Sequence, residues 1–540
     1  MVTVFRARAI RTLDPARPLA DHVAVDGGRI VAVGGAVDMP AEAVVDDRFA
    51  AHVLVPGFVE GHAHLQVGAM WQSCYCGRFA RTGPDGTRWE DADSIDAAVE
   101  RLGRWGAAHP EDDLIVGWGF DPIYFGRSCL RADLDRVSSD RPVVMFHASL
   151  HIVSVNTAAL VRLGLLDQPP ATDSVPLGAD GLPTGELRGP EAMYPAIAQL
   201  GLMGRVMATN DEAYRVAAAL ARRAGVTTMA DLGSGYGTEQ LDALARLTAE
   251  ADWPMRLVPT LLSDGRPATA MFEKADAAAA RSTDMLRLGG LKIVLDGSIQ
   301  GFTARVRAGE YVNGKPNGLW YKPPEHVREV LAQAVAEGRQ VHIHTNGDQA
   351  SELVLDLLDD VVRTGPVAAV DVTLQHAQLM DEGLLRRAAA LGVKVNLFVN
   401  HVFYWGEAHA AATVGEERAA QMNACATALR LGLTVAIHSD EPVTPMFPLF
   451  TMWCAVNRRT HLGRVLGPDE CLTPAQALGA VTLGPARTLG LADEIGSIEV
   501  GKRADFTVLD ADPLAVDPTT IRDIGVWGTV CAGRVLPAGG

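Results

Sequence analysis

The chain has 540 residues, 48% of them apolar, and it carries a formal net charge of −17 at pH 7. Such an acidic surface repels phosphate backbones and anionic lipid headgroups, so nucleic acids and membrane surfaces are not expected partners. The first residues lack the apolar core of a signal peptide, and no apolar run reaches the ~18 residues of a spanning helix, so we expect a cytoplasmic protein.

Both ends of the chain alternate apolar and polar residues between turn signals, a pattern typical of short β-strands. Residues 1–52 and residues 486–540 each contain too few such strands for a stable sheet. We therefore expect the two ends to pair with each other in one small β-sandwich domain.

A buried strand is predicted from Val53 to Leu65, because this apolar run is bounded by proline and glycine. The strand places His62 and His64 at its end, and the alternation of strand side chains points both imidazoles the same way. Two neutral imidazoles at a strand tip are half of a divalent-metal site. A His-x-His pattern also arises by chance, so the remaining strands decide between the two interpretations.

Residues 66–204 contain no spacing typical of metal ligands, and they mix helix-like with strand-like segments. This stretch is long enough to form an inserted α+β domain. Within it, Trp118 and His151 lie among aromatic and polar side chains. Both residues are compatible with the wall of a substrate pocket, and both are equally compatible with ordinary packing.

From residue 205 to residue 485 the pattern alternates between helix and strand, which predicts parallel strands joined by crossover helices. Together with residues 53–65, this segment supplies eight strands, the number that closes a (β/α)8 barrel. The predicted fold class is therefore α/β, a TIM-type barrel that carries the terminal sandwich and the inserted domain. In such barrels the chemistry lies at the C-terminal ends of the strands.

Residues with metal-binding side chains stand at the ends of four further predicted strands: Lys292, His344, His376 and Asp440. Lys292 lies in an apolar run of a chain that has only six lysines. A desolvated lysine has a depressed pKa, so its amine can react with CO2 to form a carbamate that bridges two cations. Lys394, in the predicted seventh strand, shows that a strand lysine can also simply reach solvent.

The order of these residues along the barrel resembles the metal constellation of the amidohydrolase superfamily. The segments that begin at Gly297, His438 and Gly496 are similar to its amidohydrolase 3 branch, which includes N-substituted formamide deformylases. The residues that carry the resemblance at the strand ends are His62, His64, Lys292, His344, His376 and Asp440.

The resemblance implies two divalent ions, and zinc is expected from imidazole and carboxylate ligands. One ion is held by His62, His64 and Asp440. The other ion is held by His344 and His376, and the carbamate on Lys292 bridges the pair together with a hydroxide.

The resemblance also implies a reaction, hydrolysis of the amide-type C–N bond of a small molecule such as an N-substituted formamide. Metal coordination lowers the pKa of a bound water from 15.7 to about 7, which makes a nucleophile available at neutral pH. Asp440 is expected to take the proton of the attacking water and to pass it to the leaving nitrogen. A homodimer is expected from the same resemblance.

Six residues are candidate substrate contacts, although an aromatic side chain on its own is more often part of a core than of a pocket. The candidates are Trp118, His151, Asp296, Trp320, Tyr321 and Tyr404. Trp320 and Tyr321 lie in a long Gly-rich segment, from Gly301 to Pro324, that we expect to form a flexible flap over the barrel mouth.

Two other functions are compatible with the scaffold. A mononuclear deaminase of a heterocycle usually has a His-x-x-Glu motif, whereas Thr345 and Gly347 stand three residues after His342 and His344. A non-catalytic protein of the same fold usually lacks some ligands, whereas all six candidate positions are filled here.

Overall fold

The computed structural model describes residues 2–167, 172–203 and 210–539. Within these ranges the strands form four sheets with eight, seven, five and two strands. None of the helices in the described ranges combines the length and the apolar character needed to cross a bilayer. The predicted boundary between residues 204 and 205 lies outside the described residues.

Eight parallel strands form the barrel sheet and follow one another around it in chain order. From the first to the eighth barrel strand, they are Phe58–Ala63, Val226–Ser234, Arg256–Leu262, Leu291–Val294, Val341–Thr345, Val372–His376, Lys394–Leu397 and Val435–Ile437. Beyond the eighth strand, the amide of Asp440 donates to the carbonyl of His62 at 3.1 Å, which joins the two ends of the sheet. The predicted TIM-type barrel is confirmed.

Helices connect the barrel strands and bury one apolar face each. In Asp348–Thr364, for example, Val354, Leu355, Leu358 and Val361 are buried at helical spacing. The helix Asp211–Arg223 leads into the second barrel strand, and the α-helices after that strand are Thr238–Thr248, Ala268–Ala279, Pro324–Glu337, Asp348–Thr364, Glu382–Ala390, Asn400–Ala408, Glu416–Gln421, Cys425–Arg430, Pro448–Asn457, Pro474–Ala480 and Leu483–Thr488.

The sequence analysis predicted that the first barrel strand begins at Val53. In the structure this strand begins at Phe58. Val44–Pro56 is a separate strand, and its last four residues pair with Phe506–Leu509. Gly57 lies between the two strands, where a Cβ atom would come within 2.1 Å of Thr227 Oγ1. Residues 53–56 therefore belong to the terminal sheet.

Strands from both chain ends form one continuous seven-stranded sheet. Its strands are Thr3–Arg11, Leu19–Asp26, Arg29–Gly34, Val44–Pro56, Phe506–Leu509, Val526–Cys531 and Arg534–Pro537. The long strand Val44–Pro56 pairs along its length with Thr3–Arg11 and at its end with Phe506–Leu509, so it links the two ends into one sheet.

The C-terminal segment does not enter the terminal sheet at residue 486. Ala486, Leu489 and Ile495 pack instead against Val59 and Ala230 of the first two barrel strands. Burial of these apolar side chains removes the barrel interior from water, which is why this stretch stays with the barrel.

The chain between the first two barrel strands carries a five-stranded mixed sheet and several helices. The strands of this sheet are Cys74–Tyr75, Ile115–Phe120, Val143–His147, Ile152–Val155 and Glu186–Arg188, and a small hairpin pairs Arg81–Thr82 with Arg88–Trp89. The helices are Val67–Met70, Ile95–Ala108, Arg131–Leu134, Thr157–Arg162 and Gly189–Gln199. Trp118 and Phe146 of this sheet share one apolar cluster with the barrel core, so the insertion packs directly on the barrel.

Candidate functional site

The C-terminal ends of the barrel strands bring the six predicted ligands together. Asp440 Oδ1 lies 3.2 Å from His64 Nε2 and 3.5 Å from His62 Nε2. Asp440 Oδ2 lies 3.8 Å from His376 Nδ1. Lys292 Nζ donates to His62 Nε2 at 3.3 Å, and the rings of His344 and His376 are 4.3 Å apart.

A seventh residue, His438, joins this group, although the sequence analysis did not include it among the ligands. Its ring lies 4.7 Å from that of His62 and 5.0 Å from that of His376. The eighth strand ends at Ile437, so His438 already belongs to the following loop and turns toward the other imidazoles. The signal for it was the His-x-Asp spacing to Asp440. We call the seven residues the strand-end cluster: His62, His64, Lys292, His344, His376, His438 and Asp440.

Two sets of three residues in the described part of the chain have ligand atoms within 4.8 Å of one another. The first set is His62, His64 and Asp440. The second set is His62, His376 and His438. The first set combines two imidazole nitrogens with a carboxylate oxygen, and the second set offers three imidazole nitrogens; both kinds of donor bind zinc and related divalent ions.

Hydrogen bonds from the layer below fix the orientation of His62. Its Nδ1 donates to Gln375 Oε1 at 2.8 Å, so its Nε2 is directed at Asp440 and Lys292. The amide group of Gln375 is itself fixed, because it donates to His342 Nδ1 at 2.9 Å and accepts from Asn396 Nδ2 at 2.9 Å. Outer hydrogen bonds of this kind select the tautomer of a ligating histidine.

Burial keeps four imidazoles of the cluster neutral. It lowers the pKa of His62, His344 and His376 well below the usual value, and it lowers the pKa of His438 to about 3. A neutral imidazole has a free lone pair, which is the form that binds a metal ion.

Lys292 and Asp440 respond differently to the same surroundings. Burial lowers the pKa of Lys292 to about 7, although the charge of Asp440 works in the opposite direction. Burial alone would raise the pKa of Asp440, but the hydrogen bond and the charge of His64 outweigh it and hold that pKa below its usual value. At neutral pH the site therefore combines an ionised carboxylate with a lysine that is readily deprotonated.

The backbone is strained at two strand ends in the cluster. His376 has φ 67° and Asp440 has φ 55°, both in the left-handed region that residues other than glycine rarely adopt. Each such conformation costs about 1–3 kcal/mol, and residues of this kind are common at active sites.

Unpaired buried nitrogens indicate that the cluster suits a bound cation. Nδ1 of His376 and both ring nitrogens of His438 are buried and have no hydrogen-bond partner among the residues that the structure describes. A buried polar atom without a partner is unfavourable, and a divalent cation would satisfy several of them at once.

A cavity of about 200 Å³ opens above the cluster. Barrel residues form one part of its lining, among them Leu232, Leu262, Ser263, Val294, Tyr321, Lys322 and Val443. The inserted domain forms the other part, which we call the insertion wall. It consists of Phe146, Ser149, Leu150, His151, Pro190, Met193, Tyr194 and Ile197.

Two of the six predicted substrate contacts line this cavity. His151 lies beside Tyr321, with ring centroids 5.5 Å apart, and its ring is 5.4 Å from that of His344. Burial lowers the pKa of His151 to about 4. A neutral His151 at this position has a polar ring edge available to a ligand above the cluster.

The other four predicted contacts lie outside the cavity. Trp118 packs on Trp71 and Tyr75 inside the insertion, and Trp320 lies under Arg305. Tyr404 packs against other aromatic side chains between the barrel and the insertion. The sequence could not separate these rings from pocket residues, because a buried aromatic ring has the same local pattern in both places.

Asp296 does not line the cavity, and its side chain is engaged by the backbone. Its carboxylate accepts hydrogen bonds from the backbone amides of Arg305, Asn346 and Gly347 at 2.9–3.0 Å. It thereby connects the loops that follow the fourth and fifth barrel strands. Arg305 belongs to the predicted flap, so its hydrogen bond to Asp296 attaches the flap to the end of the fourth barrel strand. A second hydrogen bond lies within the flap, where the hydroxyl of Tyr311 donates to the carbonyl of Ala304 at 2.7 Å.

The fold and the cluster define the class of this protein, a TIM-barrel enzyme with a nitrogen- and oxygen-rich site at the C-terminal strand ends. The chain belongs to the amidohydrolase family, because the model of that family, of the amidohydrolase 3 type, matches residues 52–537. It is accordingly a hydrolase that acts on carbon–nitrogen bonds, as the sequence analysis predicted.

Known relatives extend over nearly the whole chain. An N-substituted formamide deformylase of Arthrobacter pascens is 28% identical over 538 residues, which covers 97% of this chain and 96% of the relative. YtcJ of Bacillus subtilis (strain 168) is 28% identical over 500 residues, covering 90% and 89% of the two chains. The crystal structure of an uncharacterized metal-dependent hydrolase from Pyrococcus horikoshii OT3 has a TM-score of 0.72 at 21% identity and covers 96% of this chain and 99% of its own. This structural likeness supports the fold.

Proposed function

We propose that this protein is a metal-dependent hydrolase that cleaves an amide-type C–N bond in a small molecule. The observation that carries the proposal is the strand-end cluster, in which neutral imidazoles surround an ionised carboxylate at the base of a cavity. This arrangement suits the binding of cations and the transfer of a proton at the same place.

The donor set supports two divalent ions, with zinc as the first candidate. His62, His64 and Asp440 would hold one of them. His344 and His376 would hold the other, with a carbamate on Lys292 between the two. When bound, the ions would polarise the substrate carbonyl and lower the pKa of water, so that hydrolysis proceeds at neutral pH.

Burial of Lys292 supports the carbamate. A neutral amine reacts with CO2, and a pKa of about 7 leaves a large neutral fraction at physiological pH. Lys292 is 1% exposed, so a negative charge on its end would be stabilised by cations in the cluster and would otherwise be costly.

Asp440 is proposed to act as general acid and base. Its carboxylate lines the cavity, and its lowered pKa keeps it ionised and able to accept a proton from the attacking water. It would then donate this proton to the nitrogen that leaves as the C–N bond breaks. His64, 3.2 Å away, orients the carboxylate for both transfers.

A small substrate is proposed, because a cavity of about 200 Å³ with mainly apolar walls accommodates a compact molecule. N-substituted formamides are the first compounds to test, since the relative from Arthrobacter pascens is named for them. We further propose that the protein is cytoplasmic and that it forms a homodimer. Sedimentation or size-exclusion chromatography would test the homodimer.

The test is an assay of the zinc-loaded protein against N-substituted formamides, other small amides, lactams, esters and heterocyclic amines. We expect release of an amine and a carboxylic acid from at least one amide, with two metal ions per chain by elemental analysis. Rapid release of ammonia from a heterocycle, with one metal ion per chain, would identify a deaminase instead. Metal-loaded protein without activity on the whole panel would favour a non-catalytic scaffold.

A further inference from the structure

The cavity contains a second lysine, Lys322, well away in sequence from the strand-end cluster. It follows Tyr321 in the loop after the fourth barrel strand, and it lines the cavity together with Leu262 and Ser263. Its side chain is half-buried. The wall around it is mainly apolar, so a charge at this place needs an explanation.

Lys322 differs from the lysines that lie outside the site. Four other lysines of the chain each have a partner for their ammonium group. The partners are Asp371 for Lys394, Glu499 for Lys502, the carbonyl of Gly235 for Lys274 and the ring of Phe302 for Lys315. Among the residues that the structure describes, no carboxylate lies within ion-pair distance of Lys322.

The carboxylate whose charge acts on Lys322 already has a cationic partner. Asp264 favours the charged lysine, but its carboxylate is bound by Arg266 at 2.6 Å. Burial lowers the pKa of Lys322, which means that the surroundings do not fully replace the water lost by the ammonium group. An anionic group of a ligand would supply the missing interaction, and hydrogen bonds between charged partners are the stronger kind.

We propose, on the basis of the proposed amidohydrolase function, that the substrate carries a carboxylate in addition to its amide bond and that Lys322 binds this carboxylate. The hydroxyl of Ser263 lies on the same wall, fixed by a hydrogen bond of 2.9 Å with His326 Nε2. The apolar part of the substrate packs on the insertion wall. These features together describe an N-acylated amino acid with an apolar side chain.

The chemical step is an ordinary hydrolysis. The oxygen of one water molecule bonds to the amide carbon, the C–N bond breaks, and the nitrogen leaves with a proton from that water. The products are a carboxylic acid and an amino acid, and no oxidant or reductant is required. Lys322 does not touch the reacting atoms, so it determines specificity and is not a catalytic residue.

The test compares substrates that differ only in the charge at one end. N-formyl-, N-acetyl- and N-phenylacetyl-L-leucine are each assayed beside the corresponding leucinamide. We expect kcat/KM to be at least about 10-fold higher for the carboxylates, since a hydrogen bond to a charged group contributes that much. In Lys322→Met this preference should disappear, mainly through a higher KM for the carboxylates.

Two further variants separate a specific contact from a general change of charge. Lys322→Arg keeps the cation and should retain part of the preference. Lys315→Met removes a cation from an exposed position in the same loop, outside the cavity, and should leave the preference unchanged.

A binding measurement decides the question even if none of these compounds is turned over. By calorimetry, 4-methylpentanoate should bind the metal-loaded protein at least about 10-fold more tightly than its amide, and Lys322→Met should lose this difference. A preference for the carboxylate that persists in Lys322→Met would overturn the proposal, because the anion would then be bound elsewhere, for example by the metal ions.

The failure of this proposal is distinguishable from failure of the proposed function. Asp440-dependent hydrolysis of neutral amides, with no effect of Lys322→Met on any pair or on binding, would refute the carboxylate site alone. Loss of all amidase activity, with the binding difference intact, would refute the hydrolase and leave the anion site.

Discussion

The strand-end cluster and the insertion wall line the same cavity, but the protein builds them differently. Residues of the cluster lie on or just beyond five of the barrel strands, and hydrogen bonds between neighbouring strands fix their spacing. The insertion wall comes from a loop after Val143–His147 and from the helix Gly189–Gln199, which reach the cavity only because the inserted domain packs on the barrel.

This difference separates two properties of the enzyme. The cluster carries the donor atoms and the proton-transfer group, so changes there should reduce the turnover of every substrate. The wall contributes mainly apolar surface and one neutral imidazole, so changes there should alter which substrate binds. The predictions below test this division, beginning with the largest expected effect.

Replacement of Asp440 should abolish most of the activity and leave the fold intact. In Asp440→Asn the amide cannot accept a proton at neutral pH, so kcat should fall by up to about 10⁴-fold, the contribution of a general acid–base group. Circular dichroism should be unchanged and most of the metal should be retained. Asp47→Asn, at an exposed aspartate of the terminal sheet, is the matched control. Wild-type turnover in Asp440→Asn would refute the role of this residue.

Replacement of Lys292 should reduce the amount of bound metal. Lys292→Ala removes the group proposed to bridge two ions, and activity should fall about 10³-fold, equivalent to the several kcal/mol that a Lewis acid supplies. Elemental analysis after dialysis measures the metal directly. Lys394→Ala is the control, because that lysine lies on another barrel strand and forms an ion pair with Asp371 at 2.5 Å. Unchanged stoichiometry in Lys292→Ala would exclude the bridging carbamate.

The sequence was informative about the cluster because its signals are local. His62 and His64 follow from strand alternation, and Lys292 was conspicuous as a rare lysine in an apolar run. His438 was missed for a physical reason. The eighth strand ends at Ile437, so His438 lies in the loop that reaches Asp440 with a positive φ, and strand alternation does not predict where a loop side chain points.

The insertion wall and the terminal sheet were harder to predict because they depend on contacts between distant residues. Met193 and Ile197 have the spacing of any buried helix face, and nothing local shows that the face meets a cavity. The same applies to Lys322. At Pro56 and Gly57 the turn signal was present, but it marks a break between two strands of different sheets and not the end of one strand.

An ion pair joins the insertion to the loop that follows the eighth barrel strand, and its removal should affect both regions. Arg81 of the insertion forms a buried ion pair with Glu441, the residue after Asp440, and its Nη1 donates to the carbonyl of Pro442 at 2.6 Å. Arg81→Met would leave Glu441 buried without its cation, at a cost of about 3 kcal/mol or more. We expect a lower melting temperature and a lower kcat, because the loop that holds Asp440 loses its support.

A double variant distinguishes this explanation from a simple loss of packing. In Arg81→Met/Glu441→Gln no charge remains without a partner, so much of the lost thermal stability should return. If the double variant is as unstable as the sum of the two single variants, the ion pair is not the connection between the insertion and the barrel.

The smallest effect is expected from pH, and it should separate the two regions in the metal-loaded protein. Burial lowers the pKa of His147, at the start of the insertion wall, from 6.5 to about 4. Between these values the unfolded chain binds a proton that the folded chain excludes, so stability falls as the pH falls, by about 2 kcal/mol at pH 5. Melting temperatures of His147→Gln should therefore depend less on pH between 7 and 5 than those of wild type, with saturating metal protecting the cluster histidines. If the melting temperatures of wild type and His147→Gln depend equally on pH, acid destabilises the strand-end cluster before it protonates His147.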